Sequence, residues 1–381
     1  MAPAGYFLPG AARPEQADPA MRLTVLSVAF PFAPVSPRTA GGAEQILATL
    51  DRSLTASGYA SLVIAPDGSQ VSGLLLRTPK VPTEITPEVQ RQVRTAVRDL
   101  LACAVHDYAV DVVHLHGLDF LDYLPGGNIP VVVTLHLPLA WYPKEIFDIR
   151  RENYALVCVS PSQAETRASD HTGDARCLVI ENGVDLDRFH PASGKGNYAA
   201  CIGRICPEKA PHLALEAAEK SGMPLYLAGA AFGYESHRRY FEDLLAPRIT
   251  APHKFLGQVG GRAKRNLLAG AQCVLVPSLA PETSSLIAME ALACGTPVVA
   301  FRSGALAHLI EHGVTGFLVD SVAEMAQAIH QTQELNPAAG RRGAERRFSA
   351  SRMANRYFDL YKSLITTGST QVRTEALCLA N

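Results

Sequence analysis

The sequence predicts two doubly wound α/β domains, each a parallel sheet covered by helices, facing one another across a cleft. Three observations carry this. From residue 22 onward, short β-branched runs alternate with longer amphipathic ones, the pattern of strand–helix–strand units. The alternation stops once, in a polar stretch holding Pro191, Gly194 and Gly196, and then starts again. Finally, 381 residues with 48% hydrophobic content suit two cores better than one.

Taken in order, residues 1–20 contain Pro, Gly and Ala but neither a basic leader nor a long apolar core, so they read as a disordered extension. The first domain spans 21–185, with strands expected at 22–28, 60–65, 110–115, 130–135, 155–159 and 176–180. Gly41-Gly42-Ala43-Glu44 leads into a helix with Ile46, Leu47, Leu50 and Leu54 on one side, and Thr86 caps another from Pro87 to about His106. Glu181-Asn182-Gly183 is expected to turn the chain, since Asn-Gly favours turns. Residues 186–197 form the linker. The second domain spans 198–348, with strands at 198–202, 225–228, 253–256, 273–276, 297–300 and 316–319. Its helices are expected at 211–220, 235–246, 261–269, 283–293 and 322–334. A last helix over 349–366 carries Met353, Tyr357, Leu360, Tyr361 and Leu364 on one stripe, and 367–381 reads as a tail.

Composition narrows the partners. A formal net charge of −1 gives no general attraction to nucleic acid. No apolar run reaches the roughly 18 residues of a membrane span, which leaves room only for peripheral membrane contact. The eight cysteines are scattered with no CxxC pair, which points to reduced thiols, a cytoplasmic setting and no structural metal.

In this architecture ligands meet the loops that follow strands. Pro281 to Ala300 reads as loop, helix, turn and strand: Thr283 to Ser285 can cap the helix, Gly295 stops it and Pro297 opens the next strand. Glu282 lies before the helix and Glu290 about two turns inside, roughly 10 Å further along its axis at 1.5 Å per residue. Two acceptors so spaced can grip the ends of a hydroxyl-rich ligand, with the first-turn N–H groups at residues 284 to 286 between them. After another strand, Gly203-Arg204-Ile205-Cys206-Pro207-Glu208-Lys209 sets two cations beside a helix start, as a diphosphate requires; a solvated Arg and Lys is the bland reading. Gly41-Gly42 can let backbone N–H groups approach a ligand, or be a flexible loop. His136 ends a strand and is expected as a hydrogen-bonding group in the cleft, against a structural histidine. His114 and His116 have an i, i+2 spacing without an obvious third metal ligand. Asp119 and Asp122 read as acceptors or surface acids. Phe30, Phe32, Phe120, Tyr123, Trp141 and Tyr142 suit stacking on an acceptor or core packing.

Together these residues resemble the retaining glycosyltransferase family 4, of GT-B architecture, from about Met21 to Ile365. The resemblance rests on the E-x7-E pattern of Glu282 and Glu290 followed by Ala-Cys-Gly-Thr-Pro-Val-Val. It is supported by Gly41-Gly42-Ala43-Glu44, Val-Ile-Glu-Asn-Gly-Val-Asp-Leu-Asp-Arg-Phe, Gly203-Arg204 with Lys209, and His312-Gly313-Val314-Thr315-Gly316-Phe317. It implies transfer of a sugar from a nucleotide diphosphate sugar, UDP-linked by preference, to a hydroxyl of a carbohydrate, lipid-linked or small-molecule acceptor, with retained configuration and without metal or cofactor. It further implies that Arg204 and Lys209 hold the diphosphate, Glu290 the ribose and Glu282 the sugar hydroxyls. Backbone N–H groups at Ser285 and Leu286 would contact the sugar or its phosphate, His136 would approach the sugar, and Gly41-Gly42 with Gly203 would line the donor. The chain departs from the family pattern at Thr283-Ser284-Ser285, at Ala210 where a glycine is common, and at Ala307-His308 where a Pro-Glu pair is common. The same architecture hosts nucleotide-sugar epimerases and sugar phosphorylases, and a non-catalytic binder of nucleotide sugars is a third reading.

Overall fold

The computed structural model describes residues 23–36, 39, 41–80, 85–170, 175–231 and 235–378. The extension expected over 1–20 lies outside them. The first sheet is formed by β1 (Thr24–Val28), β2 (Ala60–Ala65), β3 (Leu74–Arg77), β4 (Val112–Leu115), β5 (Val131–Leu135), β6 (Tyr154–Cys158) and β7 (Cys177–Val179). Every pairing is parallel, in the order β3-β2-β1-β4-β5-β6-β7. Its central strands are buried throughout, as a sheet covered on both faces requires. Covering it are α1 (Gly42–Ala56), α2 (Pro87–Asp107) and α3 (Pro161–Asp170). The α2 helix starts where expected: Thr86 Oγ1 accepts from the Val89 N–H and Pro87 opens the first turn.

The second sheet is formed by β8 (Ala199–Ile202), β9 (Leu225–Ala228), β10 (Lys254–Phe255), β11 (Cys273–Val276), β12 (Val298–Phe301) and β13 (Gly316–Val319), in the order β10-β9-β8-β11-β12-β13, again all parallel. Its helices are α4 (Pro211–Ser221), α5 (Glu235–Tyr240), α6 (Gly261–Gly270), α7 (Leu286–Ala293), α8 (Leu306–Leu309), α9 (Val322–Gln331) and α10 (Pro337–Arg347). In both sheets the chain winds one way from the first strand and then reverses, which places a topological switch point between β1 and β4 and another between β8 and β11.

The differences from expectation have local causes. The α5 segment is helical only to Tyr240, then passes through a π turn and a 3-10 turn that contains Pro247, whose missing N–H cannot continue the ladder. The α7 helix begins at Leu286 because the preceding residues bond elsewhere: the Glu282 carbonyl accepts from the Ala305 N–H, and Thr283 Oγ1 donates to the His136 carbonyl. Ser285 is the N-cap by position, but its side chain makes no cap bond. Asn182-Gly183 does not turn. Val184 bridges in parallel to Ser349, and at Gly183 a Cβ would come within 2.6 Å of the Ser349 carbonyl oxygen, so the glycine is there for close approach.

The last helix, α11 (Ala350–Cys378), runs past the expected end at 366 into the segment read as a tail. It leaves the second sheet and packs on the first domain: Met353, Tyr357, Tyr361 and Leu364 share a core with Val25, Ile46, Leu50, Val112 and Val132. The tyrosine hydroxyls continue into that core. His114 Nδ1 lies 2.7 Å from Tyr361 Oη and its Nε2 2.7 Å from Thr134 Oγ1, which is 2.8 Å from Tyr357 Oη. Both nitrogens of His114 are therefore engaged in the core rather than open to a metal.

Candidate active site at the two switch points

The loops after β8 and β11 lie side by side because the Glu208 carbonyl accepts from the Leu279 and Ala280 N–H groups, at 2.9 and 3.3 Å. That pairing brings Lys209 from one loop to Glu282 on the other, with Nζ 2.6 Å from Oε1. Ser278 Oγ donates to the same oxygen at 2.5 Å. Glu282 is only 8% exposed, so its charge is held by an ammonium and a hydroxyl rather than by water. Gly304 makes this placement possible. It has φ +53°, and a Cβ there would lie 2.3 Å from the Glu282 carbonyl oxygen.

Glu290 sits on the second turn of α7 and is 3% exposed. Lys264 of α6 places its ammonium 2.5 Å from Oε2 and lies over the Phe189 ring. Burial pushes the Glu290 carboxyl above its ordinary range, while Lys264 and then Arg188 pull it back. A neighbouring helix fixes α7: Arg341 of α10 donates to the Ala293, Phe189 and Leu186 carbonyls. Beyond the C-cap Cys294, Gly295 takes φ +63°.

The first domain closes over both groups. Gly41 is the N-cap of α1, and a Cβ there would meet the Glu44 carboxylate at 1.8 Å. Glu44 is buried, which raises its pKa; its own backbone N–H and the charge of Arg204 across the cleft act in the opposite direction. Gly42 faces Leu286 of α7, 3.7 Å from where its Cβ would stand. His136 ends β5, its carbonyl accepting from Thr283 Oγ1 at 2.8 Å, and its ring meets His116 edge to edge, Nε2 lying 3.0 Å from His116 Nδ1 with the rings 18° from parallel. Burial holds the imidazoles of His136 and His116 below their usual range, so both are neutral at neutral pH. Gly203 is exposed, with open space where a side chain would be.

The geometry thus gathers Gly41, Gly42, His136, Gly203, Arg204, Lys209, Glu282, Ser285, Leu286 and Glu290 along one edge. It removes others. Asp119 and Asp122 both pair with Arg94 of α2, at 2.9 and 3.0 Å, and Asp119 also accepts from Tyr123. Phe120, Tyr123 and Tyr142 are core residues, while Trp141 is 59% exposed. Lys264, Arg188 and Ser278 were not anticipated. The available signal for Lys264 was its place one turn into the helix that follows β10, on the same carboxyl edge.

Two glycosyltransferase family models match the chain in succession: Glycosyltransferase Family 4 over residues 40–188 and Glycosyl transferases group 1 over residues 185–345. The chain carries the GT-B glycosyltransferase fold. Sucrose-phosphate synthase from Thermosynechococcus elongatus superposes over 90% of this chain and 100% of its own, with TM-score 0.77 at 20% identity. Anabaena Alr3699/HepE, solved in complex with UDP-glucose, superposes over 91% and 99%, with TM-score 0.67 at 21% identity. By sequence the chain is similar to D-inositol 3-phosphate glycosyltransferase of Salinispora tropica, 34% identical over 239 residues, or 53% of this chain and 49% of that protein. It therefore spans about half the length of that relative. In this GT-B fold, the E-T-S-S loop and the β8 loop stand at the second-domain switch point, with Gly41 and His136 opposite.

Proposed function

We propose that the chain transfers a sugar from a nucleotide diphosphate sugar, UDP-linked by preference, to an acceptor hydroxyl with retention of configuration. One observation carries the proposal: two acid–ammonium pairs, Lys209–Glu282 and Lys264–Glu290, stand on one loop and one helix at the same switch-point edge.

In this reading Arg204 and Lys209 bind the diphosphate. On donor arrival Lys209 exchanges the Glu282 carboxylate for phosphate oxygens, and Glu282 is left to accept from the sugar hydroxyls. Glu290 accepts from the ribose hydroxyls, held ionised by Lys264. Backbone N–H groups at Ser285 and Leu286 face the sugar or its phosphate, and His136 approaches from the first domain. As the bond between the anomeric carbon and the diphosphate breaks, its electron pair passes to the phosphate oxygen. There Arg204, Lys209 and the start of α7 stabilise the growing charge. The acceptor oxygen bonds to the same face of the anomeric carbon and its proton goes to the departing phosphate. This scheme needs no protein nucleophile and no metal. Beside the ribose end, Glu290, Lys264, Arg188 and the α1 side chains Gln45 and Thr49 line one cavity between the domains.

The test is a panel of nucleotide sugars, with acceptors that include D-inositol 3-phosphate, read by mass spectrometry for nucleotide release and acceptor gain. Retention is read from the anomeric configuration of the product. Folded protein that neither binds nor consumes any donor overturns the proposal, and donor isomerisation without acceptor gain replaces transfer by epimerisation.

A further inference from the structure

The loop that carries Arg204 and Lys209 also carries Cys206 and Glu208, and α5 from the next unit of the sheet brings His237 against them. The Cys206 sulfur, a Glu208 carboxylate oxygen and a His237 ring nitrogen all lie within 4.8 Å of one another, the only such group of three among the described residues. Cys206 is fully buried, His237 nearly so, and Glu208 is exposed. The Cys206 thiol donates to the Arg204 carbonyl at 3.9 Å, and the imidazole lies close enough to act on the charge of Glu208.

We propose that Cys206, Glu208 and His237 form a binding site for a thiophilic divalent cation, zinc above all, on the flank of the β8 loop. The donor set selects the ion. Thiolate and imidazole suit zinc, whereas magnesium and calcium take oxygen ligands. Three protein ligands leave the fourth tetrahedral position to water. Bonds of about 2.0–2.3 Å place tetrahedral ligands about 3.3–3.8 Å apart. The set must therefore contract by at most about 1.5 Å, and the exposed Glu208 side chain has the freedom to move. The balance is simple: the ion takes the thiolate, the carboxylate and the neutral imidazole, and the thiol proton leaves to solvent, one per ion bound. The bound ion ties the run from Gly203 to Lys209 to α5 and takes no part in the transfer chemistry. Its binding does not rest on the transferase reading.

The experiment is calorimetric titration of zinc chloride into chelator-treated, dialysed full-length protein, in two buffers of different ionisation enthalpy. One zinc per chain and one proton released are expected. C206S and H237Q weaken binding at least tenfold, whereas C103S and C177S, which remove other thiols, bind as the parent does. If the two buried substitutions fail to fold, E208Q at the exposed position decides, with an expected loss of about tenfold. Binding by folded C206S or E208Q at parental affinity overturns the site, as does a parent that binds no zinc. Titration of UDP into zinc-free protein is run separately, so failure of the donor reading leaves the zinc result standing.

Discussion

Glu282 and Glu290 are compared most usefully through what holds them. Each is buried and paired with a lysine, but Glu282 lies in a loop and Glu290 inside a helix. The partners of Glu282 come from the β8 and β11 loops, with Thr283 beside it reaching the other domain. Glu290 is carried on α7, which α10 braces, and its charge depends on Lys264. Loop geometry lets a partner be exchanged when a ligand arrives; helix geometry presents one fixed acceptor whose ionisation must be maintained locally. In the proposed reaction the first suits the changing sugar–phosphate end and the second the unchanging ribose.

Substitutions that separate the halves test this contrast. The largest effect is expected from K209A, which removes a cation from the leaving group: turnover falls by about 10²–10³, as for loss of a preorganised charge-stabilising donor, with donor KM changing far less. A variant losing KM and kcat in equal measure would merge the two halves. K264M is expected to act the other way, on donor KM. The Glu290 carboxyl is already raised by burial, and removing its main opposing charge raises it further. A carboxyl with a raised pKa protonates at higher pH, so as pH falls the donor KM of K264M begins to rise at a higher pH than that of the parent. K264R restores the parental profile. Parallel pH profiles for K264M and parent would break the assignment.

A smaller effect belongs to T283V, which deletes one hydrogen bond between the domains. About 1 kcal/mol is at stake, so kcat/KM changes by less than tenfold while donor-free thermal stability drops. Smallest is A210G. Ala210 caps α4 at φ +46° and ψ +46°, a left-handed conformation that strains any residue with a Cβ. Glycine is expected to raise stability by about 0.5–1 kcal/mol in denaturant unfolding, after its own unfolded-state entropy opposes the gain. No gain would show that the loop half stores no strain there.

Much of this was legible in the chain because periodicity and capping are local. The parallel strands of both sheets, the Thr86 cap and the stop at Gly295 follow from neighbours a few residues apart. The edge strand β3 was missed because it is short and half exposed, α8 because it is a single turn of four residues, and α10 because few apolar residues mark it. In the site, Glu282, Glu290, Arg204 and Lys209 stood out by residue type and place after strands. Lys264 did not, since a lysine on a polar helix surface is ordinary until a buried carboxylate is found against it.

The sequence by itself determined the two alternating units, the carboxyl edge where ligands meet them and the acids and cations carried there, all short-range consequences of pattern. Only the tertiary structure decided which cation meets which acid, because the partners are 73 residues apart for Glu282 and come from a different helix for Glu290. It also decided that the last helix returns to the first domain and that Thr283 reaches across to His136. Those pairings depend on which strands lie side by side at the switch points, and strand order is not written in any local pattern.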